Sequence, residues 1–131
     1  MNVFQSIAIL IAVQAVVVML LSGCSAVDLK DIDRVNREVN SYGYQSDEKG
    51  KGGMKLMAPG TKGDCEDHAY TKCLALKQVD PTVEAYFLHR VGHVALGVNG
   101  QVLDNQSNRL YRYNPDDWTH RIKFNCENFK G

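Results

Sequence analysis

The chain has 131 residues, with 15 basic and 15 acidic side chains and a formal net charge of zero. This length suits one domain with a single modest core, and the balanced charge argues against a general binder of nucleic acid or of anionic surfaces. We therefore expect no nucleic-acid partner, and a specific partner instead.

The first 23 residues are typical of an export signal. Residues 3–21 are almost all apolar and lead into Leu21-Ser22-Gly23-Cys24. This ending resembles a bacterial lipobox, in which the cysteine, here Cys24, becomes the lipidated first residue of the mature chain. Because residues 1–5 carry no Lys or Arg, a retained anchor of about 20 apolar residues and an ordinary cleaved signal remain alternatives. All three possibilities predict that residues 24–131 form a domain on the periplasmic side of the bacterial cell envelope. With a lipidated Cys24 or a retained anchor, this domain would be attached to the membrane.

A first amphipathic helix is predicted over residues 27–40, because apolar side chains recur at the helical period. These are Leu29, Ile32, Val35 and Val39. Residues 41–63 are rich in Gly and polar side chains. They predict a long surface loop.

A second helix is predicted from Cys65 to about Lys77. Asp64 is a good N-cap, and Asp67 lies where a capping box requires an acceptor. One stripe of the helix, facing the core, holds Cys65, Ala69, Cys73 and Leu76.

Beyond Pro81 the pattern predicts strands over 83–89, 93–98 and 101–104, with 111–113 as the last strand. Asn99-Gly100 indicates a type I′ hairpin turn, since both residues tolerate a positive φ.

This turn sets a register that places His93 and Asp104 on one face as diagonal neighbours, with backbones about 7 to 8 Å apart. Ala95 and Gly97 on that face leave room for a helix end. The opposite face, with Val94, Leu96, Val98 and Leu103, is expected to be core.

The pattern points to cysteine-based catalysis. A cysteine at a helix N-terminus has its thiolate favoured by the free N–H groups and by a nearby imidazolium. Cys65 is thus the candidate nucleophile, His93 the general base and Asp104 the residue that orients it. An ordinary buried helix cysteine is the alternative interpretation of Cys65.

Three carboxylates surround Cys65: Asp64, Glu66 and Asp67. By themselves they disfavour a thiolate. A bound Ca²⁺, which prefers oxygen ligands, would offset their charge. The alternative is that these acids merely complement the helix dipole and point into water.

Three blocks of sequence together resemble the bacterial transglutaminase-like cysteine peptidases of the LapG type, within the papain-like superfamily. They are residues 63–69, followed by Lys72, then 93–96 and 100–105. The resemblance implies an α+β fold with a papain-like/transglutaminase-like core, in which the catalytic cysteine begins a helix packed against an antiparallel sheet carrying His and Asp.

The resemblance also implies site residues and a function. Cys65, His93 and Asp104 would form the triad, Asp64 and Glu66 would bind Ca²⁺, and the substrate would be a protein cleaved in the periplasm. The family usually places a Trp between positions 47 and 63, whereas the one Trp here is at position 118.

Several residues keep open interpretations. Cys73 is either a core residue or half of a disulfide with Cys126, which an exported compartment would permit. An oxyanion could be bound by the backbone N–H of Cys65, with the Asn40 side chain as a second candidate. His89 and His120 match no motif and are interpreted as structural.

The function that we expect is that of a monomeric, exported and calcium-dependent hydrolase that cleaves a protein or peptide substrate in the cell envelope through a Cys-His-Asp triad. Three alternatives remain: a peptidoglycan endopeptidase of the NlpC type, a glutamine deamidase or transglutaminase, and a catalytically silent binding lipoprotein.

Overall fold

The computed structural model describes residues 27–48 and 52–129. The predicted signal peptide, residues 1–23, and the predicted lipidation site, Cys24, lie outside the described residues. Within the described residues, no helix is long and apolar enough to cross a membrane.

Two helices form where the sequence predicts them: α1 covers Leu29–Asn40 and α2 covers Cys65–Val79. Asp64 caps α2, its Oδ1 accepting the N–H groups of Glu66 and Asp67 at 3.0 Å. Asp67 completes the capping box by accepting the Asp64 N–H at 3.2 Å. The predicted box and the start of the helix at Cys65 are therefore confirmed.

One antiparallel sheet of five strands packs beside the helices, in the order β4-β3-β2-β1-β5. The strands are β1 (Ala85–Arg90), β2 (His93–Val98), β3 (Gln101–Leu103), β4 (Tyr111–Arg112) and β5 (His120–Phe124). Helices on one face of such a sheet confirm the predicted α+β class.

The last strand differs from the expectation. Tyr111–Arg112 forms β4, and β5 follows it and pairs with β1. The first four residues of β5 are all exposed, although polar and apolar residues alternate from Arg121 to Phe124. Its backbone pairing with β1, rather than burial, makes it a strand.

The β2–β3 hairpin has the predicted turn and register. Asn99 has φ 51° and Gly100 has φ 74°, the left-handed values that a type I′ turn requires. Val98 pairs with Gln101, and Leu96 pairs with Leu103.

The helices pack on the face of β2 that carries Val94, Leu96 and Val98, which forms the main core with them. The expectation that a helix end approaches over Ala95 and Gly97 is wrong. That face is covered by a second, smaller cluster containing Leu88, Ala95, Val102 and Trp118. The larger aliphatic side chains give the helices more apolar surface to bury than Ala and Gly can.

A disulfide joins Cys73 to Cys126, and both residues are fully buried. The structure therefore supports the disulfide interpretation of Cys73. It fixes the middle of α2 to the C-terminal 3-10 turn, Cys126–Asn128.

The loop before α2 is held against the helix by two hydrogen bonds. The Lys55 N–H donates to Asp67 Oδ1 at 2.8 Å, and the Met57 N–H donates to Thr71 Oγ1 at 2.9 Å. Gly63 lies where this loop meets α2. A Cβ on Gly63 would lie 2.7 Å from the Asp67 Cβ and 2.9 Å from the Met57 Sδ.

Gly63→Ala should therefore destabilise the protein by about 1 to 3 kcal/mol, because the added methyl group overpacks the start of α2. Urea unfolding of the purified protein measures this change. Gly53→Ala is the matched control, since a Cβ at Gly53 meets nothing within 4 Å. Equal stability of the two variants would contradict the close approach at Gly63.

Candidate active site

Cys65 is the free cysteine of the described residues, and its side chain is half-buried. Its thiol lies against the backbone N–H of Val94. Burial raises the pKa of the Cys65 thiol, the Val94 N–H opposes that effect, and the carboxylates of Asp64 and Glu66 raise the pKa further. A nearby positive charge is thus needed to favour the thiolate.

His93 and Asp104 form a buried pair. The His93 Nε2 lies 2.8 Å from Asp104 Oδ1, and His93 is only 7% exposed. With Nε2 bound to the carboxylate, Nδ1 is the ring nitrogen left for exchanging a proton with a thiol. The diagonal placement expected from the hairpin register thus brings these two side chains together.

Two further groups fix the Asp104 carboxylate. Its Oδ1 accepts the Gln106 N–H at 2.9 Å, and its Oδ2 accepts the Tyr111 hydroxyl at 2.8 Å. Burial alone would raise the pKa of Asp104, but the hydrogen bonds and the nearby His93 outweigh it and hold the pKa below its ordinary value. Asp104 is therefore anionic at neutral pH.

No hydrogen bond joins the Cys65 thiol to the His93 ring among the described side chains. The thiol contacts the N–H of Val94, the residue that follows His93 in the chain. Hydrogen bonds between catalytic groups are often long or unformed without substrate. The structure thus relates Cys65 to Val94, the residue after His93, and shows no proton-transfer contact between the thiol and the His93 ring among the described side chains.

Asn40 does not serve the role considered for it as an oxyanion donor. Its Nδ2 donates to the carbonyl oxygens of Asp104 and Ser107 at 2.9 and 3.0 Å, so it holds the loop that carries Asp104. At the start of α2, Asp64 accepts the N–H groups of Glu66 and Asp67. The Asp64 side chain does not accept the Cys65 N–H, so the Cys65 N–H stays a candidate oxyanion donor.

Two aromatic side chains of the site were not predicted. Trp118 is buried, and its ring stacks on His93 with 6.1 Å between centroids. The Arg90 guanidinium lies 4.9 Å from the centroid of the Trp118 ring, and Tyr111 binds Asp104. Both Tyr111 and Trp118 follow the hairpin in sequence and reach the triad only through tertiary folding. His120 instead pairs across the sheet with His89.

A cluster of carboxylates lies beside the nucleophile. Asp47, Asp64 and Asp67 each offer an oxygen, and these three atoms lie within 4.8 Å of one another. Glu66, expected from the resemblance as a metal ligand, is not part of this cluster. Its carboxylate is within electrostatic range of His89 on β1.

The cluster suits a hard cation, because carboxylate oxygens are the ligands that Ca²⁺ prefers. Burial raises the pKa of Asp64, and the charges of Asp67 and Asp47 add to that effect. The Lys55 ammonium lies 3.7 Å from both Asp47 and Asp67, and it is the positive group that meets the cluster in the described part of the chain. The donor set is thus of the kind that calcium binds.

The chain matches no protein-family model and no curated protein. Its fold is similar to that of a solved structure, calcium-bound LapG of Legionella pneumophila, with a TM-score of 0.57 and 19% sequence identity. The similarity covers 81% of this chain and 70% of that chain. The chain therefore has a LapG-like fold, as the three sequence blocks predicted.

Proposed function

We propose that the protein is a cysteine peptidase that hydrolyses a peptide bond of a protein substrate in the bacterial cell envelope. One observation carries the proposal: His93 and Asp104 form a buried pair with 2.8 Å between Nε2 and Oδ1. Cys65 begins α2 with a half-buried free thiol, and the rise in its pKa is opposed by the N–H of Val94, the residue after His93. Nucleophile, base and orienting carboxylate are the parts that acyl transfer requires.

In this mechanism His93 Nδ1 takes the proton of Cys65, and the sulfur attacks the carbonyl carbon of the scissile bond. The Cys65 N–H stabilises the oxyanion that forms. His93 then gives its proton to the leaving amine, and an acyl-enzyme remains. Water, deprotonated by His93, hydrolyses it and restores the thiol. Asp104 keeps the ring oriented and stabilises the imidazolium throughout.

We further propose a dependence on calcium, held by Asp47, Asp64 and Asp67. Bound there, Ca²⁺ would offset the carboxylate charge that disfavours the Cys65 thiolate. The acid cluster and the calcium-bound LapG structure support this assignment.

The location of the enzyme is part of the proposal. The lipobox-like sequence ending at Cys24 supports an exported protein attached to the membrane by a lipid or by its N-terminal segment, and we propose that it acts as a monomer. Its substrate would then be a protein of the same envelope. The buried Cys73–Cys126 disulfide agrees with an oxidising compartment.

His93→Ala should reduce the rate of Cys65 alkylation by iodoacetamide near neutral pH, because the thiolate loses its cationic partner. The same substitution should lower kcat/KM by about 100-fold or more. Peptide mass spectrometry identifies the alkylated cysteine. His120→Ala, an exposed strand histidine, is the control and should match the wild type. Equal alkylation rates of His93→Ala and wild type would refute the triad.

Asp47→Asn should weaken Ca²⁺ binding, measured by isothermal titration calorimetry on the metal-free protein, by about tenfold or more, because a carboxylate ligand is lost. EGTA should also slow Cys65 alkylation, and added Ca²⁺ should restore it. Asp116→Asn removes an exposed acid from the 3-10 turn Pro115–Asp117 and should bind Ca²⁺ as the wild type does. If the wild type binds no Ca²⁺ in the calorimeter, the calcium proposal is wrong.

The reaction itself is tested by treating bacterial envelope extracts with the wild-type protein and with Cys65→Ala. New protein N-termini that depend on Cys65 are the expected result. Released peptidoglycan fragments without new N-termini would favour the NlpC-type alternative, and conversion of glutamine to glutamate or to cross-links would favour deamidase or transglutaminase. Identical extracts would favour a binding lipoprotein.

A further inference from the structure

Val27, where the described part of the chain begins, is fixed to the domain beside the turn of the β2–β3 hairpin. Its side chain is buried and belongs to the main core. Its carbonyl oxygen accepts an N–H of the Asn99 side chain at 3.3 Å. Val27 and Asn99 together define one end of the domain, which we name the attachment end because residues 1–26 join it there.

The candidate triad lies at the opposite end of β2. This strand begins at His93 and ends at Val98, next to Asn99. The six residue steps from His93 to Asn99 span about 20 Å of extended chain. The base of the triad is therefore about one full strand length away from the attachment end.

Helix α1 gives a second, independent measure of this separation. It begins at Leu29, two residues after Val27, and ends at Asn40. The Asn40 side chain donates to the backbone carbonyl oxygen of Asp104 at 2.9 Å. The 12 residues of α1 rise about 17 Å from the first Cα to the last. Helix and strand thus both run from the attachment end to the end that carries His93 and Asp104, which we name the triad end.

Cys65 also belongs to the triad end. It begins α2, which runs to Val79. The chain then enters β1 at Ala85, which pairs with Val98 at the far end of β2. The Val94 N–H, near the start of β2, opposes the rise in the pKa of the Cys65 thiol. The nucleophile therefore lies at the end of α2 that is remote from the attachment end.

The proposed site of membrane attachment is close to Val27 in the sequence. Three residue steps separate Cys24 from Val27, and they reach at most about 11 Å. This reach is shorter than the distance between the two ends of the domain. A lipid on Cys24 would therefore keep the attachment end at the bilayer. Tilting on so short a tether brings a side of the domain toward the lipid, and the triad end stays outermost.

We propose that membrane attachment holds the triad on the side of the domain that faces away from the bilayer. The substrates are then segments of envelope proteins that extend about 20 Å or more from the membrane surface. An extended polypeptide needs about six residues to span that distance, so peptide bonds nearer to a membrane span are out of reach. The inference rests on the proposed function, because it needs the membrane attachment and the peptidase activity proposed there.

Tryptophan fluorescence tests the orientation. The full chain, purified from bacterial membranes, is placed in vesicles of phosphatidylethanolamine and phosphatidylglycerol whose headgroups carry a nitroxide quencher. Trp118, the single Trp of the chain, stacks on His93 and reports the triad end. It should keep most of its emission, because the quencher acts only at close range. Strong quenching of Trp118 in the wild type overturns the proposal.

Two variants compare the ends with matched, exposed probes. In a Trp118→Phe background, Leu29→Trp places the probe at the attachment end, and Val91→Trp places it in the β1–β2 turn before His93. The first probe should lose most of its emission, and the second should keep most of it. Equal quenching of the two probes, or stronger quenching in Val91→Trp, overturns the proposal. If the Trp118→Phe variants do not fold, wild-type Trp118 decides alone.

The tether is tested by inserting about 20 Gly and Ser residues between Ala26 and Val27, which makes a flexible coil. The domain can then turn, so the difference between the two probes should become small. An undiminished difference overturns the role of the tether. A full chain that does not stay with the vesicles also overturns the proposal, because no attachment then orients the domain.

Cleavage sites provide the second readout. New protein N-termini are mapped in cells that produce the wild-type chain, Cys65→Ala or the chain with the insertion. Wild-type cuts should lie at least about six residues from any membrane span, and the insertion should add cuts inside that zone. Frequent wild-type cuts inside the zone overturn the proposal. Quenching does not require catalysis, so Cys65→Ala should show the wild-type pattern. That pattern without any Cys65-dependent cut would refute the peptidase and leave the orientation established.

Discussion

The nucleophile end of the protein depends on the buried carboxylate of Asp67. This side chain is 0% exposed and accepts the N–H groups of Asp64 and Lys55. The first bond closes the capping box that begins α2, and the second fixes the preceding loop to the helix. Gly63 has no side chain at the point where Asp67 fills the space. The Asp67 carboxylate, together with the Asp64 cap, thus fixes where α2 begins and therefore where Cys65 lies.

The same carboxylate creates an electrostatic problem for the chemistry. Asp47, Asp64 and Asp67 lie close together, and burial already raises the pKa of the Cys65 thiol. A thiolate in this setting needs positive charge on more than one side. Lys55 meets the acid cluster at its exposed edge, and His93 lies next to Val94 in the chain. The charges around Cys65 are therefore as much a part of the candidate site as the candidate triad.

Local sequence signals predicted the parts of the site that form within short segments. Asp64 and Asp67 predicted the start of α2, and Asn99-Gly100 predicted the register that pairs His93 with Asp104. The long-range parts could not be predicted in this way. Tyr111 and Trp118 reach the triad from segments beyond the hairpin, and Asp47 joins the acid cluster across the loop before α2. Periodicity describes one element at a time, so it also did not predict the face of β2 on which the helices pack.

The two halves of the candidate triad are held with different rigidity. Asp104 accepts hydrogen bonds from Gln106 and Tyr111, and Trp118 stacks on the His93 ring, so the base and its carboxylate are fixed from both sides. The thiol is half-buried at the first turn of α2, and the Val94 N–H opposes the rise in its pKa. The contact between thiol and imidazole is consequently the one that a bound substrate, or a cation among the neighbouring carboxylates, can adjust. Control of the proposed peptidase activity would therefore act on the position and charge of Cys65, with the His93–Asp104 pair already assembled.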